Sequence, residues 1–393
     1  MQRYLEAQVA ADLARKMVIL TGPRQVGKTT LARRFVALHS VNSEASPAQY
    51  FNWDVPDHRA TLQRGSWNRA APLLVFDEVH KMRNWKTWLK GVVDGKVEAQ
   101  RILVTGSARM ETFRQSGPSL AGRFHALRLH PISVREWCGQ APPPFAPEPQ
   151  QALAHLLSRG GFPEPFLAPD PVIAARWRSD YFSGLIREDI VEFSRIGEIN
   201  TMRLFVELLR GRTGAPLSLA SIARDLAVSP ITLRRYLDIL EALFIVFIVR
   251  PWHKNIGRAT LQMPKVYFFD NGLVAGDATQ DDNGGSRFEN AVAAMLAKHT
   301  DFLRDTTGRE IGLHYIRTKD GGEIDFAISD NGRLTDLIEC KWADTAVTRA
   351  LARFAGEHAG VRATQLVYTL DHEQRRGNVD VVPAAPWLAK LAA

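Results

Sequence analysis

Residues 22–29 read Gly-Pro-Arg-Gln-Val-Gly-Lys-Thr, and few stretches of eight residues restrict a fold so strongly. The pattern G-x-x-x-x-G-K-[ST] needs glycines so that backbone N–H groups can turn inward and cradle phosphate oxygens. It needs a lysine to reach the β- and γ-phosphates and a hydroxyl to ligate Mg²⁺. Its setting must be a strand followed by a helix. Met17 to Leu20 is a short apolar run, and Lys28 to Leu38 carries Leu31, Phe35 and Leu38 on one helical face. The expectation is therefore a bound nucleoside triphosphate, ATP with Mg²⁺, held by Gly22, Pro23, Arg24, Gln25, Val26, Gly27, Lys28, Thr29 and Thr30.

Strand-like runs at Tyr50 to Trp53, Leu73 to Phe76 and Ile102 to Thr105 alternate with helical stretches, which implies a parallel sheet covered on both faces. The run at Leu73 ends in Asp77-Glu78. Asp77 is placed to act on the metal near Thr29, and Glu78 to polarise the attacking water as general base. The plainer reading is that both acids cap the next helix. Gly106-Ser107 follows the strand at Ile102 to Thr105, where Ser107 is either a sensor of the γ-phosphate or part of a simple turn. Arg123, in Leu-Ala-Gly-Arg, is either a finger acting across a subunit interface or a solvated surface arginine.

At 393 residues the chain calls for two or three domains. A proline-rich stretch at Gln140 to Pro149 and a glycine-rich one at Asp281 to Ser286 divide it into 1–140, 150–280 and 286–393. Pro171 to Leu243 reads as mostly helical and Leu243 to Asp270 as strands. Cys138 and Cys340 show no metal or disulfide spacing, and the N-terminus lacks the apolar segment of a signal peptide, so a cytoplasmic setting is expected. The longest apolar run, Leu243 to Val249, is too short for a bilayer. The net charge of +8 favours a polyanionic partner such as DNA.

Leu219 to Ser229 and Pro230 to Leu243 have helix-turn-helix proportions. Leu233, Tyr236, Leu237 and Leu240 fall on one face, with Thr232, Arg234 and Arg235 elsewhere to meet DNA. A hairpin wing bearing His253, Lys254, Arg258 and Lys265 is expected to follow. Such a module serves equally as a lid or a subunit contact. Further on, Gly321 to Ile328 and Leu337 to Trp342 alternate polar and apolar residues around a turn at Ser329 to Arg333. Folding about residue 332 sets Asp325 opposite Glu339, and strand alternation puts Glu339 and Lys341 on one face. The cluster reads as a catalytic site, an inactive relic that still binds DNA, or a surface charge group.

The stretches GPRQVGKTTL, FDEVHKMRNWKTWLK, TGSAR, SLAGR, LHPISVREW, GGFPE, YFSGLIREDI and KVYFFDNGL resemble a family of bacterial and archaeal AAA-type ATPases with a C-terminal domain of unknown function. The resemblance spans nearly the whole chain. It implies a P-loop α/β ATPase core, a helical and winged-helix segment, and a small α/β domain of the PD-(D/E)xK nuclease type. In that type Asp325 and Glu339, with Glu289 as a further carboxylate, hold one or two Mg²⁺ ions, and Lys341 orients or activates the water that attacks phosphorus. Ile324 stands where the motif's proline would be, without removing a chemical group. The expected role is an ATPase acting on DNA as a motor or remodeller, in a homo-oligomeric ring with no membrane partner. An ATP-gated DNA endonuclease and an ATPase switch for a protein partner are the alternatives.

Overall fold

A computed structural model describes residues 1–40, 46–106, 120–140, 147–185, 199–252, 263–274, 284–318, 321–344, 346–358 and 360–393. They form two compact units. One comprises Met1–His130 with Ala242–Phe244, the other Pro131–Glu241 with Ile245–Ala393.

The first unit is built on a five-stranded sheet of β1 (Met17–Thr21), β2 (Gln49–Asn52), β3 (Leu73–Asp77), β4 (Arg101–Thr105) and β5 (Phe124–Arg128). The strands run in the order β2-β3-β4-β1-β5, and every pair is parallel. β1 and β3 are buried along their whole length, as unbroken apolar runs in a parallel sheet are. Helices Lys28–Ser40, Pro56–Arg64 and Trp85–Asp94 connect the strands, and the result is the α/β fold of a P-loop NTPase. The first four strands lie within a residue or two of the apolar runs in the sequence. β5 has no such run. Its Phe-His-Ala-Leu-Arg is mostly half-buried, because an edge strand needs no continuous apolar face.

In the second unit, helices Pro149–Arg159, Pro171–Leu185, Ile199–Arg210, Leu219–Asp225 and Pro230–Ala242 precede an eight-stranded sheet. Its strands are β6 (Val246–Pro251), β7 (Lys265–Phe268), β8 (Ile311–Arg317), β9 (Glu323–Asp330), β10 (Arg333–Lys341), β11 (Arg362–Val367), β12 (Gln374–Arg376) and β13 (Val379–Pro383). The order is β12-β13-β11-β10-β9-β8-β6-β7. β6 pairs with β8 at Arg250↔His314 and Pro251↔Tyr315, so strands from before Asp281 enter the same sheet as those after it.

The long helix Gly285–Thr307 packs on this sheet through Phe288, Ala291, Val292, Met295 and Leu296, a 3.6-residue stripe. Polar side chains tie the same helix to its surroundings. Asn290 bonds both the N–H and the carbonyl of Phe268 and reaches Asn271 Oδ1. Asp270, fully buried, accepts from the N–H groups of Gly161, Phe162 and Gly272. Thus Gly160 to Glu164 and Lys265 to Leu273, two of the stretches singled out above, are held together by one carboxylate. Burial pushes that carboxyl up to about 6 against the pull of its three N–H donors.

Lys298 continues the apolar stripe as a charge. Its ammonium, 1% exposed as a residue, bonds Glu136 Oε2 at 2.6 Å, Pro131 O at 3.0 Å and Ser133 Oγ at 3.1 Å. Glu136 is buried as well, so the two charges form a buried ion pair. Lys298→Met should lower unfolding stability by about 3–5 kcal/mol by removing the ammonium from a buried ion pair, whereas Lys298→Met with Glu136→Leu should recover most of that loss. Urea denaturation of the three proteins, followed by circular dichroism, measures both.

Candidate functional sites

Parallel strands bring their C-terminal ends to one edge of the sheet, and that edge gathers the expected nucleotide-binding residues. Gly22 leaves β1 at φ +145°, and a Cβ there would lie 2.3 Å from the carbonyl oxygen of Leu129, so only glycine fits. Gly27 has φ +99° and Gln25 φ +59°, the backbone reversal that turns N–H groups into the loop. Lys28 folds over the loop and donates to the carbonyls of Gly22 at 2.9 Å and Pro23 at 2.6 Å. Arg3, from the N-terminal segment, clamps the loop from behind by donating to Val26 O at 2.5 Å and His130 O at 2.6 Å.

Asp77 ends β3 with 1% exposure and receives three hydroxyls. Thr29 donates to Oδ2 at 2.8 Å, Tyr50 donates to Oδ2 at 2.6 Å, and Thr105 donates to Oδ1. The Tyr50 hydroxyl is pushed up to about 12, by burial first and by Asp77 next. Hard oxygen donors from Thr29 and Asp77 at a phosphate loop suit Mg²⁺. Glu78 follows at φ +58°, with its N–H bonded to Thr105 O. Its carboxylate lies 3.7 Å from Lys81 Nζ and 3.6 Å from His80 Nε2, and burial raises its pKa.

Tyr50 and Thr105 appear in the sequence only as strand residues, not as site residues. Thr105 belongs to the site because the register pairs it with Asp77, which the order of strands decides. Ser107 lies outside the described residues. Arg123 pairs with Asp94 of its own chain, Nε to Oδ1 at 2.8 Å and Nη2 to Oδ2 at 3.2 Å, on an exposed surface.

The second cluster grows from the β9–β10 hairpin. Asn331 and Gly332 both have positive φ, as a two-residue turn of this kind requires. That turn pairs Asp330 with Arg333 and Ser329 with Leu334, a register that would set Asp325 against Ile338. A bulge between Leu334 and Asp336 adds one residue and moves the pairing to Phe326↔Ile338. Asp325 therefore comes level with Glu339. Asp325 Oδ2 accepts the N–H of Cys340 at 2.8 Å, and Lys341 Nζ lies 2.9 Å from Glu339 Oε1. Ile324 is fully buried.

Glu289, on the long helix, accepts the Tyr267 hydroxyl at 2.6 Å and lies 3.6 Å from Lys265 Nζ. Burial, and then the charge of Asp325, raise the carboxyls of both Glu289 and Glu339. Among the described residues no three His, Cys, Asp or Glu side chains converge into a ready metal cage. Glu339 Oε2 is nonetheless buried with no hydrogen-bond partner, and an oxygen left so beside Asp325 fits a hard cation.

On helix Pro230–Ala242, Leu233, Tyr236, Leu237 and Leu240 are buried, while Arg234 and Arg235 are exposed and Thr232 is half-exposed. Arg234 lies 3.4 Å from Asp238. Lys265 corrects the expectation of a basic wing. It is 2% exposed and bonds Glu323 at 2.5 Å, because all four residues of β7 are buried. His253, Lys254 and Arg258 lie outside the described residues.

Tyr50→Phe and Thr105→Val each remove one donor from the buried Asp77 carboxylate. Each should lower stability by about 1–3 kcal/mol, seen as a lower urea midpoint followed by tryptophan fluorescence.

Residues 14–138 match the AAA domain family. Residues 150–282 and 284–387 match two domains of unknown function, DUF8612 and DUF4143. The uncharacterized proteins Rv2008c of Mycobacterium tuberculosis and Mb2031c of Mycobacterium bovis are each 30% identical over 331 residues, covering 81% of this chain and 68% of theirs. The uncharacterized protein MJ1544 of Methanocaldococcus jannaschii is 23% identical over 268 residues, covering 65% of this chain and 58% of its own. Among solved structures, AMPPCP-bound DnaA from Aquifex aeolicus overlaps 60% of this chain and 86% of its own at 14% identity, with a TM-score of 0.32, too low to bear on function. Among the described residues no helix is long and apolar enough to cross a membrane. With an AAA domain at its N-terminal end and 30% identity across 68% of the two mycobacterial proteins, the chain belongs to their family.

Proposed function

We propose that this chain hydrolyses ATP and acts on DNA as a motor or remodeller, working as a homo-oligomer. The observation that carries the ATPase reading is the Asp77 carboxylate accepting the Thr29 hydroxyl at 2.8 Å, with Lys28 over the loop and Glu78 next in the chain. When ATP binds, Lys28 exchanges the carbonyls of Gly22 and Pro23 for the β- and γ-phosphates. Mg²⁺, held by Thr29 and through Asp77, supplies charge neutralisation on the phosphates. Glu78 takes a proton from water as its oxygen attacks the γ-phosphorus, and the bond to ADP breaks. Burial makes Glu78 more basic than an ordinary carboxylate, which favours that proton transfer. Arg123 would exchange Asp94 for the γ-phosphate of a neighbouring subunit, as an arginine finger does.

The DNA reading rests on the exposed Arg234 and Arg235 of a winged-helix segment and on a nuclease-like cluster at Asp325, Glu339 and Lys341. The proposed division is an ATPase core at 1–140, a helical and winged-helix segment at 150–280 and a nuclease-like domain at 286–393. Phosphate contacts account for the basic residues without a base-specific code. The unpartnered Glu339 Oε2 favours a second reading, a Mg²⁺-dependent endonuclease gated by ATP.

ATP turnover measured with linear duplex, single-stranded and four-way-junction DNA tests these readings together. DNA should stimulate turnover at low salt, and the stimulation should fall as salt rises. Arg123→Ala should bind ATP within about threefold of the parent yet lose turnover by at least about a hundredfold. Full turnover by that variant overturns the shared site. Turnover indifferent to every DNA favours a switch acting on a protein partner. Cutting of the same DNAs that vanishes in Asp325→Ala and Lys341→Ala establishes the endonuclease.

A further inference from the structure

Lys265 is out of place for a basic residue at the start of a strand. Its ammonium is buried in the second cluster, 2.5 Å from Glu323 Oε1 and 3.6 Å from Glu289 Oε1, over the ring of Tyr315. The closest other contacts of Glu289 fall on the same oxygen. Its Oε1 accepts the Tyr267 hydroxyl, and the Gly214 backbone passes so close that a Cβ there would lie 2.9 Å from that oxygen. Asp325 and Glu339 are differently placed. Asp325 Oδ2 accepts a backbone N–H, and Glu339 Oε2 is buried with no partner.

We infer that Lys265 is a built-in cation occupying the second ion position, so that the cluster binds one divalent ion, on Asp325 and Glu339, rather than two. This rests on the nuclease-like reading of the cluster. Lys265 already meets Glu289 and Glu323, and Lys341 meets Glu339 Oε1, which leaves Asp325 and Glu339 Oε2 as the oxygens open to an ion. An ion between Glu289 and Asp325 would also approach the buried Lys265 ammonium, where like charges repel strongly. Glu289 and Glu323 are then positioning residues that hold Lys265, and the strand β7 supplies a side chain that a reading of residues 286–393 alone leaves out.

Mn²⁺ titration of the whole 393-residue chain without nucleotide, counted by electron paramagnetic resonance of the free ion, tests this. A Thr29→Ala background removes any contribution from the phosphate loop. The parent should bind one Mn²⁺ per chain, and Asp325→Asn should abolish it. Lys265→Met should bind two, while Lys265→Arg, which keeps the charge, should stay at one. Two ions in the parent overturn the inference, and so does a single ion in folded Lys265→Met. If Lys265→Met fails to fold, Lys265→Gln, which also removes the charge, takes its place: two ions support the inference and one overturns it. No Mn²⁺ bound by the parent at millimolar concentration overturns the metal reading of the cluster, and this inference with it.

Discussion

A carboxylate with 1% exposure at the end of a strand must find donors, and Asp77 finds three hydroxyls from three other elements. Thr29 comes from the helix after the phosphate loop, Tyr50 from β2 and Thr105 from β4. These contacts are possible only because every strand of the first sheet is parallel, so that all C-terminal ends share one edge. The sheet thereby sets the phosphate loop, the metal-side acid and Glu78 at one place. Gly22 completes the arrangement by letting the chain leave β1 against the Leu129 carbonyl, which leaves no room for a side chain.

The second unit solves a similar problem several times over. Lys298 with Glu136, Asp270 and Lys265 are all ionisable groups removed from water, and each is met by partners. Each has a partner distant in sequence, so each links separate segments. Such groups contribute little net stability compared with apolar residues of the same size, but removing one partner is costly. Their arrangement selects which segments pack together. The helix Gly285–Thr307 meets β7 through Asn290 and residues 131–136 through Lys298.

Some of this was legible in the amino-acid order. The first four parallel strands appear as apolar runs, and the hairpin turn at Asn331-Gly332 is marked by residues that tolerate positive φ. The level placement of Asp325 and Glu339 agrees with folding about residue 332, but the bulge is what produces it. Counting from the tight turn alone sets Asp325 against Ile338, and the bulge near Thr335 carries no sequence signal of its own. β5 was invisible because an edge strand of mixed polarity has no periodicity to find. Lys265 was misread as surface charge because a lysine beside an apolar run ordinarily snorkels to water.

By itself, the order of residues determined the local elements that depend on neighbours in the chain. These are a phosphate loop between a strand and a helix, two acids ending an apolar strand, and a hairpin bearing two carboxylates and a lysine. The tertiary structure alone decided what depends on strand order and on partners far away. It brought Tyr50 and Thr105 onto Asp77, set Arg123 against Asp94 and put Lys265 inside the carboxylate cluster. The physical reason is the same in each case. A buried charge is tolerated only where distant groups neutralise or hydrogen-bond it, and no local pattern encodes which distant groups those are.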